Sequence, residues 1–276
     1  MKTQTLAYSP CPNDTFLFYH FVHSPKNQIR EILLDVEELN TRAFQSEFDI
    51  TKLSFSAFFQ VLENYALLRS GGALGSGVGP ILVKRKGVQK KPDGNKIAIP
   101  GIHTTANLLT HIYLKGEFQP IAFRYDLIIP ELLKGNLDFG VIIHEERFTY
   151  ESFGLEKVMD LGEFWESTTK TLIPLGAIAV KRSLGAEFAR QTNEKIVKSL
   201  EYSYKNREEV YPYIQSYSQN KDTKIIDAHI NLYVNEYTKD IGELGEVGIY
   251  KLYEHALKFG FLKKEIESQK LDLFAF

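Results

Sequence analysis

His144 follows an apolar run, Phe139-Gly-Val-Ile-Ile143, that is typical of a strand buried on both faces of a sheet. The carboxyl end of such a strand is where open α/β sheets place ligand-binding residues. Four polar residues, His144 to Arg147, come directly after the run and indicate an exposed rim. An imidazole at this rim is suited to act as a general base. A hydrogen-bonded core histidine is the alternative, and the residues alone favour neither interpretation.

Two predicted helix starts offer a second kind of chemistry. A strand and a glycine turn precede Thr104 and Thr105, and a short strand precedes Ser54. The first N–H groups of a helix have no acceptor inside the helix, so they bind carboxylate or phosphate groups. Simple helix capping also explains each motif taken singly. Because the two starts belong to the two different lobes predicted below, together they make an anionic small molecule held between them a more attractive hypothesis than either start does singly.

Motifs for metals and nucleotides are missing from the sequence. The glycine-rich run Gly71–Gly79 has neither GxGxxG spacing nor a Gly-Lys-Ser/Thr ending, so its glycines are expected to allow positive φ and close backbone passage beside a cleft. Cys11 is the one cysteine, and there is no HExxH. We interpret Cys11 as a packing residue and expect no metal and no cofactor.

The composition is that of an ordinary globular protein. The 276 residues are 43% hydrophobic and 25% charged, with a formal net charge of -2. This net charge shows no excess of basic residues of the kind that binds nucleic acid or an anionic membrane. No stretch approaches the roughly 20 apolar residues that span a bilayer, and the first residues do not read as a signal peptide. We therefore expect a cytoplasmic protein without nucleic-acid or membrane partners.

Short apolar runs alternate with helical patterns, which predicts an α/β fold. Strands are expected at 5–8, 32–36, 50–53, 81–84, 96–99, 121–124, 139–143 and 175–180, and helices at 16–22, 39–48, 57–65, 104–114, 127–133 and near 249–257. Polar breaks at 85–95 and 169–174 suggest an inserted unit. We predict a large discontinuous lobe of residues 1–86 and 175–276, a small lobe of residues 87–174, and a ligand cleft between them.

Five segments in order along the chain resemble one family, the 1,4-dihydroxy-6-naphthoate synthases of the futalosine route to menaquinone. The segments are Ser9-Pro-Cys-Pro-Asn-Asp-Thr-Phe16, Leu68-Arg-Ser-Gly-Gly-Ala-Leu-Gly75, Pro100-Gly-Ile-His-Thr-Thr-Ala106, Ile142-Ile-His-Glu145 with Arg147-Phe-Thr-Tyr150, and Pro174-Leu-Gly-Ala177. A looser resemblance runs to the chorismate-processing enzyme of the same pathway and to type II periplasmic binding proteins. The resemblance implies a two-lobed fold of that type, with mixed sheets flanked by helices.

The resemblance also implies an activity and a set of site residues. A lyase of this family converts cyclic dehypoxanthine futalosine to 1,4-dihydroxy-6-naphthoate, with His144 in the place of the general base and no cofactor. The implied substrate contacts are Lys52, Leu53, Ser54, Thr105, Ala106, Asn107, Leu108 and Asn40. Ile102 stands where a relative has a basic residue, which puts one peripheral contact in doubt. Family precedent also favours a homodimer.

Two other functions stay open at this point. A non-catalytic cytoplasmic solute-binding protein is compatible with the same fold, because fold does not fix function. An enzyme of the chorismate-dehydratase type is the second alternative. Each would bind a small anionic ligand in the cleft, so the distinction rests on the product formed.

Overall fold

The computed structural model describes residues 3–262 and 272–276 and shows two mixed β-sheets flanked by helices. The strands are β1 (Gln4–Tyr8), β2 (Ile29–Leu33), β3 (Ile50–Ser54), β4 (Tyr65–Leu67), β5 (Ala73–Gly75), β6 (Ile81–Arg85), β7 (Lys96–Ile99), β8 (Gln119–Ala122), β9 (Phe139–Ile142), β10 (Leu155–Asp160) and β11 (Ile173–Lys181). The α-helices are α1 (Pro12–His23), α2 (Val36–Ala43), α3 (Phe55–Phe58), α4 (Thr105–Tyr113), α5 (Ile128–Leu133), α6 (Leu161–Thr169), α7 (Gly185–Lys205), α8 (Arg207–Tyr217), α9 (Thr223–Tyr233), α10 (Glu236–Lys239) and α11 (Gly242–Lys258). The predicted α/β class is confirmed.

The first sheet has the order β2-β1-β3-β11-β4, and β5 pairs with β11 beside it. β1 runs parallel to β2 and β3, whereas β11 runs antiparallel to β3, β4 and β5. Because the carboxyl ends of parallel strands meet at one edge, the residues after Tyr8 lie beside those at the end of β3. Helix α1 covers this sheet and packs against α7 and α8.

The second sheet has the order β10-β6-β9-β7-β8. β7 and β9 are parallel neighbours, with Ala98 opposite Gly140. Their carboxyl ends lead to the α4 N-terminus and to His144, so both features lie at the same edge of this sheet. All four residues of β9 are buried, as expected for a strand covered on both faces.

Glycines allow close approach where the chain passes between the two sheets. A Cβ on Gly79 would lie 2.2 Å from the backbone nitrogen of Gly162, so neither position accommodates a side chain. The Arg147 guanidinium donates to the carbonyl of Gly79, to that of Gly77 at 2.9 Å, and to Asp160 Oδ2 at 2.8 Å. Gly71 and Gly77 have φ of 82° and 71°. The expected use of these glycines for positive φ and close passage is confirmed.

The pairing of β6 differs from the predicted lobe boundary. The sequence predicts residues 81–86 in the large lobe, but β6 forms hydrogen bonds with β9 and β10 in the second sheet. An apolar run reveals a strand but not its partners, which are set by tertiary pairing. The division into two lobes remains our proposal, with the first passage between sheets moved to residues 76–80. Residues 263–271 of the predicted large lobe lie outside the described residues.

Two helices also differ from the sequence prediction. The helix expected at 57–65 ends at Phe58, and Tyr65–Leu67 instead forms β4, because this segment pairs with β11. The helix expected at 39–48 begins at Val36, where Asp35 caps it by accepting from the Glu37 N–H at 3.0 Å. The apolar stripe near the carboxyl end is confirmed by α11, whose residues Ile249, Leu252 and Ala256 are buried. Among the described residues, no helix has the length and apolar character needed to cross a membrane.

Candidate active site

A cavity of about 100 Å³ lies between the two sheets and is lined by residues from both. The end of β3 contributes Lys52, Leu53 and Ser54 from the first sheet. The second sheet contributes the α4 start and the residues that follow β9, including His144. The two features singled out in the sequence, the histidine rim and the helix starts, therefore meet at one cavity.

His144 stands at the cavity in an unusual backbone conformation. Its φ is 56°, in the left-handed region, directly after the extended Ile143. This conformation costs a residue with a side chain about 1–2 kcal/mol. Strain of this kind persists where the surrounding structure fixes it, and it is concentrated at functional sites. The conformation turns the chain sharply at the end of β9, and His144 lines the cavity instead of continuing the buried strand.

Aromatic and apolar neighbours surround the His144 ring. The Tyr125 ring lies edge-on to it at a centroid distance of 4.7 Å, and Cys11 Sγ lies 3.3 Å from Nδ1. Burial lowers the pKa of His144 to about 4; the charge of Asp14 opposes this shift and that of Lys52 adds to it. The imidazole is therefore neutral at ordinary pH and carries a nitrogen lone pair that can accept a proton.

This lowered pKa gives a pH prediction. A base acts in its unprotonated form. Because the pKa of His144 is lowered from 6.5 to about 4, its imidazole stays unprotonated down to a more acidic pH. We expect kcat/KM to stay level from about pH 5 to about pH 8 and to fall tenfold per pH unit only below about pH 4, because this parameter reports the pKa of the free protein. Steady-state rates over this range will check it, with circular dichroism at each pH as the control for unfolding. An acid limb centred near 6.5 in folded protein would contradict the prediction.

At the end of β3, hydrogen bonds fix Ser54 and leave its hydroxyl proton free. Asn40 Nδ2 donates to Ser54 Oγ at 3.1 Å, and the Ser54 N–H donates to Asn40 Oδ1 at 3.0 Å. The Ser54 oxygen is thus an acceptor from Asn40, and its O–H can be donated to a ligand. Asn40 is fully buried and does not line the cavity; it orients Ser54.

Lys52 lines the cavity but is not a free cation. Its Nζ lies 2.8 Å from Asp14 Oδ1, and both side chains are buried. Asp14 also accepts from Ser9 Oγ at 2.9 Å and from Asn13 Nδ2 at 2.8 Å. The positive charge of Lys52 is therefore largely balanced by Asp14 inside the protein.

The start of α4 provides backbone donors. Thr104 is the N-cap and accepts from the Asn107 N–H at 3.2 Å. The Thr105 hydroxyl donates to the Leu175 carbonyl at 2.8 Å and accepts from the Ser56 N–H at 3.3 Å, so it joins the two sheets. Since the N–H groups of the first helical residues have no acceptor in the helix, those of Thr105 and Ala106 are available to an anionic ligand.

The predicted site residues divide into three groups. His144, Lys52, Leu53, Ser54, Thr105 and Ala106 line the cavity. Asn40 supports one of them from behind. Asn107 and Leu108 are buried within α4 and do not line the cavity, because a helix that starts at the cavity carries its next residues away from it. The contacts proposed for these last two residues have no geometric support.

Several lining residues were not predicted from the sequence. Ser9, Asn13 and Asp14 come from the Ser9–Phe16 segment, which carried a family resemblance but no assigned role. Leu175 and Gly176 come from a second such segment. His229, on α9, had no signal at all, since nothing in the local pattern distinguishes it from the other histidines.

Cys11, His144 and Glu145 each bring a potential metal-ligand atom to within 4.8 Å of the others. Sγ lies 3.3 Å from Nδ1 and 3.6 Å from Nε2 of the same ring. A sulfur in the ring plane at these distances would overlap ring carbon, so it lies over the ring face. The nitrogen lone pairs lie in the ring plane and do not point at the sulfur. Burial also raises the pKa of the thiol, so this arrangement fits packing better than metal ligation.

Glu37 forms a further link between helix α2 and the turn before α4. Its two carboxylate oxygens, on α2, each lie 3.1 Å from the His103 N–H, which precedes α4. Gly101 has a φ of 151°, and a Cβ there would lie 2.4 Å from the Glu37 carboxylate. The turn before α4 is thus shaped to accept a carboxylate from the opposite sheet, and it holds the two units together.

Known proteins are similar to this chain in sequence and in fold. The menaquinone biosynthesis family matches residues 4–258. The chain belongs to this family. A Thermus thermophilus protein named 1,4-dihydroxy-6-naphthoate synthase is 42% identical over 259 residues, which cover 93% of this chain and 94% of the relative. A Streptomyces coelicolor protein of the same name is 37% identical over 268 residues, which cover 94% and 95%. The family predicted from the five segments is confirmed.

A solved structure has a similar fold. A Candida albicans protein described as having the generic periplasmic binding protein fold matches with a TM-score of 0.71, over 99% of this chain and 94% of that one. The two sequences are only 13% identical, so the likeness concerns the fold alone. The predicted periplasmic-binding-protein-like architecture is confirmed.

Proposed function

We propose that this chain is a carbon–carbon lyase that converts cyclic dehypoxanthine futalosine to 1,4-dihydroxy-6-naphthoate. Family membership and the names of two relatives at 42% and 37% identity support the reaction. The observation that most directly supports the chemistry is the setting of His144. This residue lies at the cavity in a strained conformation, and its pKa is lowered to about 4. A binding protein needs no neutral imidazole at this place, whereas a proton-removing enzyme does.

Each side of the cavity has a part in the proposed mechanism. The N–H groups at the start of α4 and the Ser54 hydroxyl hold the carboxylate and hydroxyl groups of the substrate. His144 removes a proton from a hydroxyl or an acidified C–H of the furanose ring. The electron pair left by the proton forms a new double bond in the sugar-derived fragment as the carbon–carbon bond to the spiro centre breaks. The electron pair of the broken bond enters the ring that becomes aromatic, and the sugar-derived fragment is released with its new double bond. Aromatisation favours the product, and the chain's own groups supply each proton transfer.

Product analysis tests this function directly. Purified protein is incubated separately with cyclic dehypoxanthine futalosine and with the substrate of the chorismate-processing enzyme, and products are identified by mass spectrometry. We expect dihydroxynaphthoate from the first substrate and no change in the second. Conversion of the second substrate would instead support the dehydratase alternative. Tight binding of either compound without a product would support a solute-binding protein.

The cytoplasmic location, which is expected from the sequence, and the homodimer, which family precedent favours, remain proposals. We also propose that the reaction needs no cofactor, because a base and an anion-binding helix start suffice for the steps above. Light scattering coupled to size-exclusion chromatography will give the oligomeric state, and dialysis against a chelator before the assay will test the need for a metal.

A further inference from the structure

A second imidazole, that of His229, lines the same cavity. His229 is fully buried on α9, and its ring lies 6.0 Å from that of His144 with an interplanar angle of 26°. The mechanism proposed above gives it no role. Burial lowers its pKa well below 6.5, and the positive charge of Lys52 adds to that shift, so this ring is neutral as well.

A chain of hydrogen bonds fixes which nitrogen of His229 carries the proton. Asn13 Nδ2 donates to Asp14 Oδ1 at 2.8 Å, and an ionised carboxylate can only accept. The other end of the amide, Asn13 Oδ1, therefore faces His229 Nε2, at 2.9 Å. Because an amide oxygen can only accept, Nε2 carries the hydrogen. The opposite nitrogen, Nδ1, then carries a lone pair.

This lone pair has no partner among the residues that the structure describes. His229 Nδ1 is buried and makes no hydrogen bond there. A buried acceptor without a donor destabilises a protein unless a ligand or water supplies the donor. The protein thus uses the buried Lys52–Asp14 pair and Asn13 to hold an imidazole acceptor beside the cavity, next to His144.

We propose that His229 Nδ1 accepts a hydrogen bond from a hydroxyl of the bound substrate, which makes His229 a second substrate-positioning residue. The inference rests on the proposed function, whose substrate is a hydroxylated, ribose-derived ring. The hydroxyl held by His229 neighbours the group from which His144 removes a proton. A site built to accept from a hydroxyl discriminates against analogues that lack it, because its buried acceptor is then left without a donor. His229 therefore acts on specificity through substrate binding.

Two substitutions separate this role from packing. In His229→Gln the amide nitrogen takes the place of Nε2 and keeps the bond to Asn13, but the acceptor at Nδ1 is lost. In His229→Asn the amide oxygen takes the place of Nδ1, and the bond to Asn13 is lost. With cyclic dehypoxanthine futalosine, we expect His229→Gln to raise KM about tenfold or more, and His229→Asn to keep KM within about threefold of wild type. The surface variant His23→Gln serves as the control and should match wild type.

Substrate analogues that each lack one hydroxyl complete the test. With wild type, kcat/KM for one analogue should be about tenfold or more below the value for the full substrate. With His229→Gln, the same analogue and the full substrate should have nearly equal kcat/KM. Equal KM for His229→Gln and wild type, or equal losses in both His229 variants, would overturn the inference. If neither variant folds, wild type must still discriminate against one analogue, and its failure to do so overturns the inference. Wild type that leaves the substrate unchanged would refute the proposed function and this inference together, whereas normal turnover with an unaffected variant refutes the inference alone.

Discussion

His144→Asn is expected to lower kcat by about 10²–10⁴-fold and to change KM by only a few-fold, because it removes the base but leaves the substrate contacts in place. Asparagine is the suitable replacement since the φ of 56° at this position strains most side chains and is best tolerated by asparagine after glycine. His144→Ala removes the same base but adds strain. Single-turnover rates with wild type and both variants will separate loss of chemistry from slow product release.

The matched control for this prediction is His23→Asn at the end of α1, where the ring is exposed and hydrogen-bonds the Tyr19 carbonyl. It should keep wild-type kcat. Circular dichroism and urea unfolding will show whether each variant is folded. If His144→Asn or His144→Ala folds normally and keeps full turnover, His144 is not the base. The most direct rival would then be a base supplied by another cavity residue, and the pH profile would identify it by its midpoint.

The meeting of His144 with the α4 start could be predicted from the sequence because both depend on local rules. Apolar runs reveal β7 and β9, and parallel neighbours in an open α/β sheet place their carboxyl ends at one edge. A strand followed by glycine and threonine reveals the helix start. The functional assignment of His144 needed more, since a core histidine and a catalytic one have the same local pattern; the five family segments supplied the difference.

Other features depend on contacts that local patterns do not encode. The segment Tyr65–Leu67 reads as the end of a helix, and only its pairing with β11 makes it a strand. β6 reads as a strand, but its sheet is set by β9 and β10. His229 reaches the cavity because α9 packs beside the His144 turn and Asn13 meets its ring. Local patterns in the sequence carry no signal for partners so distant along the chain.

The buried pair of Lys52 and Asp14 is expected to give the largest stability effects in the protein. Their side chains are 10% and 2% exposed, and the ion pair distance is 2.8 Å. Removing one partner of a buried pair leaves the other charge without compensation and costs about 3–5 kcal/mol. We expect Asp14→Ala to lie at the upper end of this range, because the one acceptor left to Lys52 among the described residues would be the Gly71 carbonyl, 3.5 Å away. Urea unfolding, followed by fluorescence, measures the loss.

Lys52→Met should cost less than Asp14→Ala, because Asp14 would keep the hydroxyl of Ser9 and the amide of Asn13 as donors. The neutral double variant Asp14→Asn with Lys52→Met removes both charges and should recover most of the stability lost in either single variant. Losses below about 1 kcal/mol in both single variants would mean that the pair is effectively hydrated.

Activity measurements on these variants distinguish an effect on stability from an effect on the geometry of the site. The double variant is expected to be stable yet impaired, because Asp14 also orients Asn13, and Asn13 fixes the proton of His229. In Asp14→Asn the side-chain amide can donate as well as accept, so the direction of the Asn13 amide is no longer determined. A buried charge pair kept only for stability would be a poor choice, since replacing such a pair with well-packed apolar residues is often neutral or stabilising. Its place at the cavity gives it a different use, which is to fix, through Asn13, which nitrogen of the neutral His229 carries the proton.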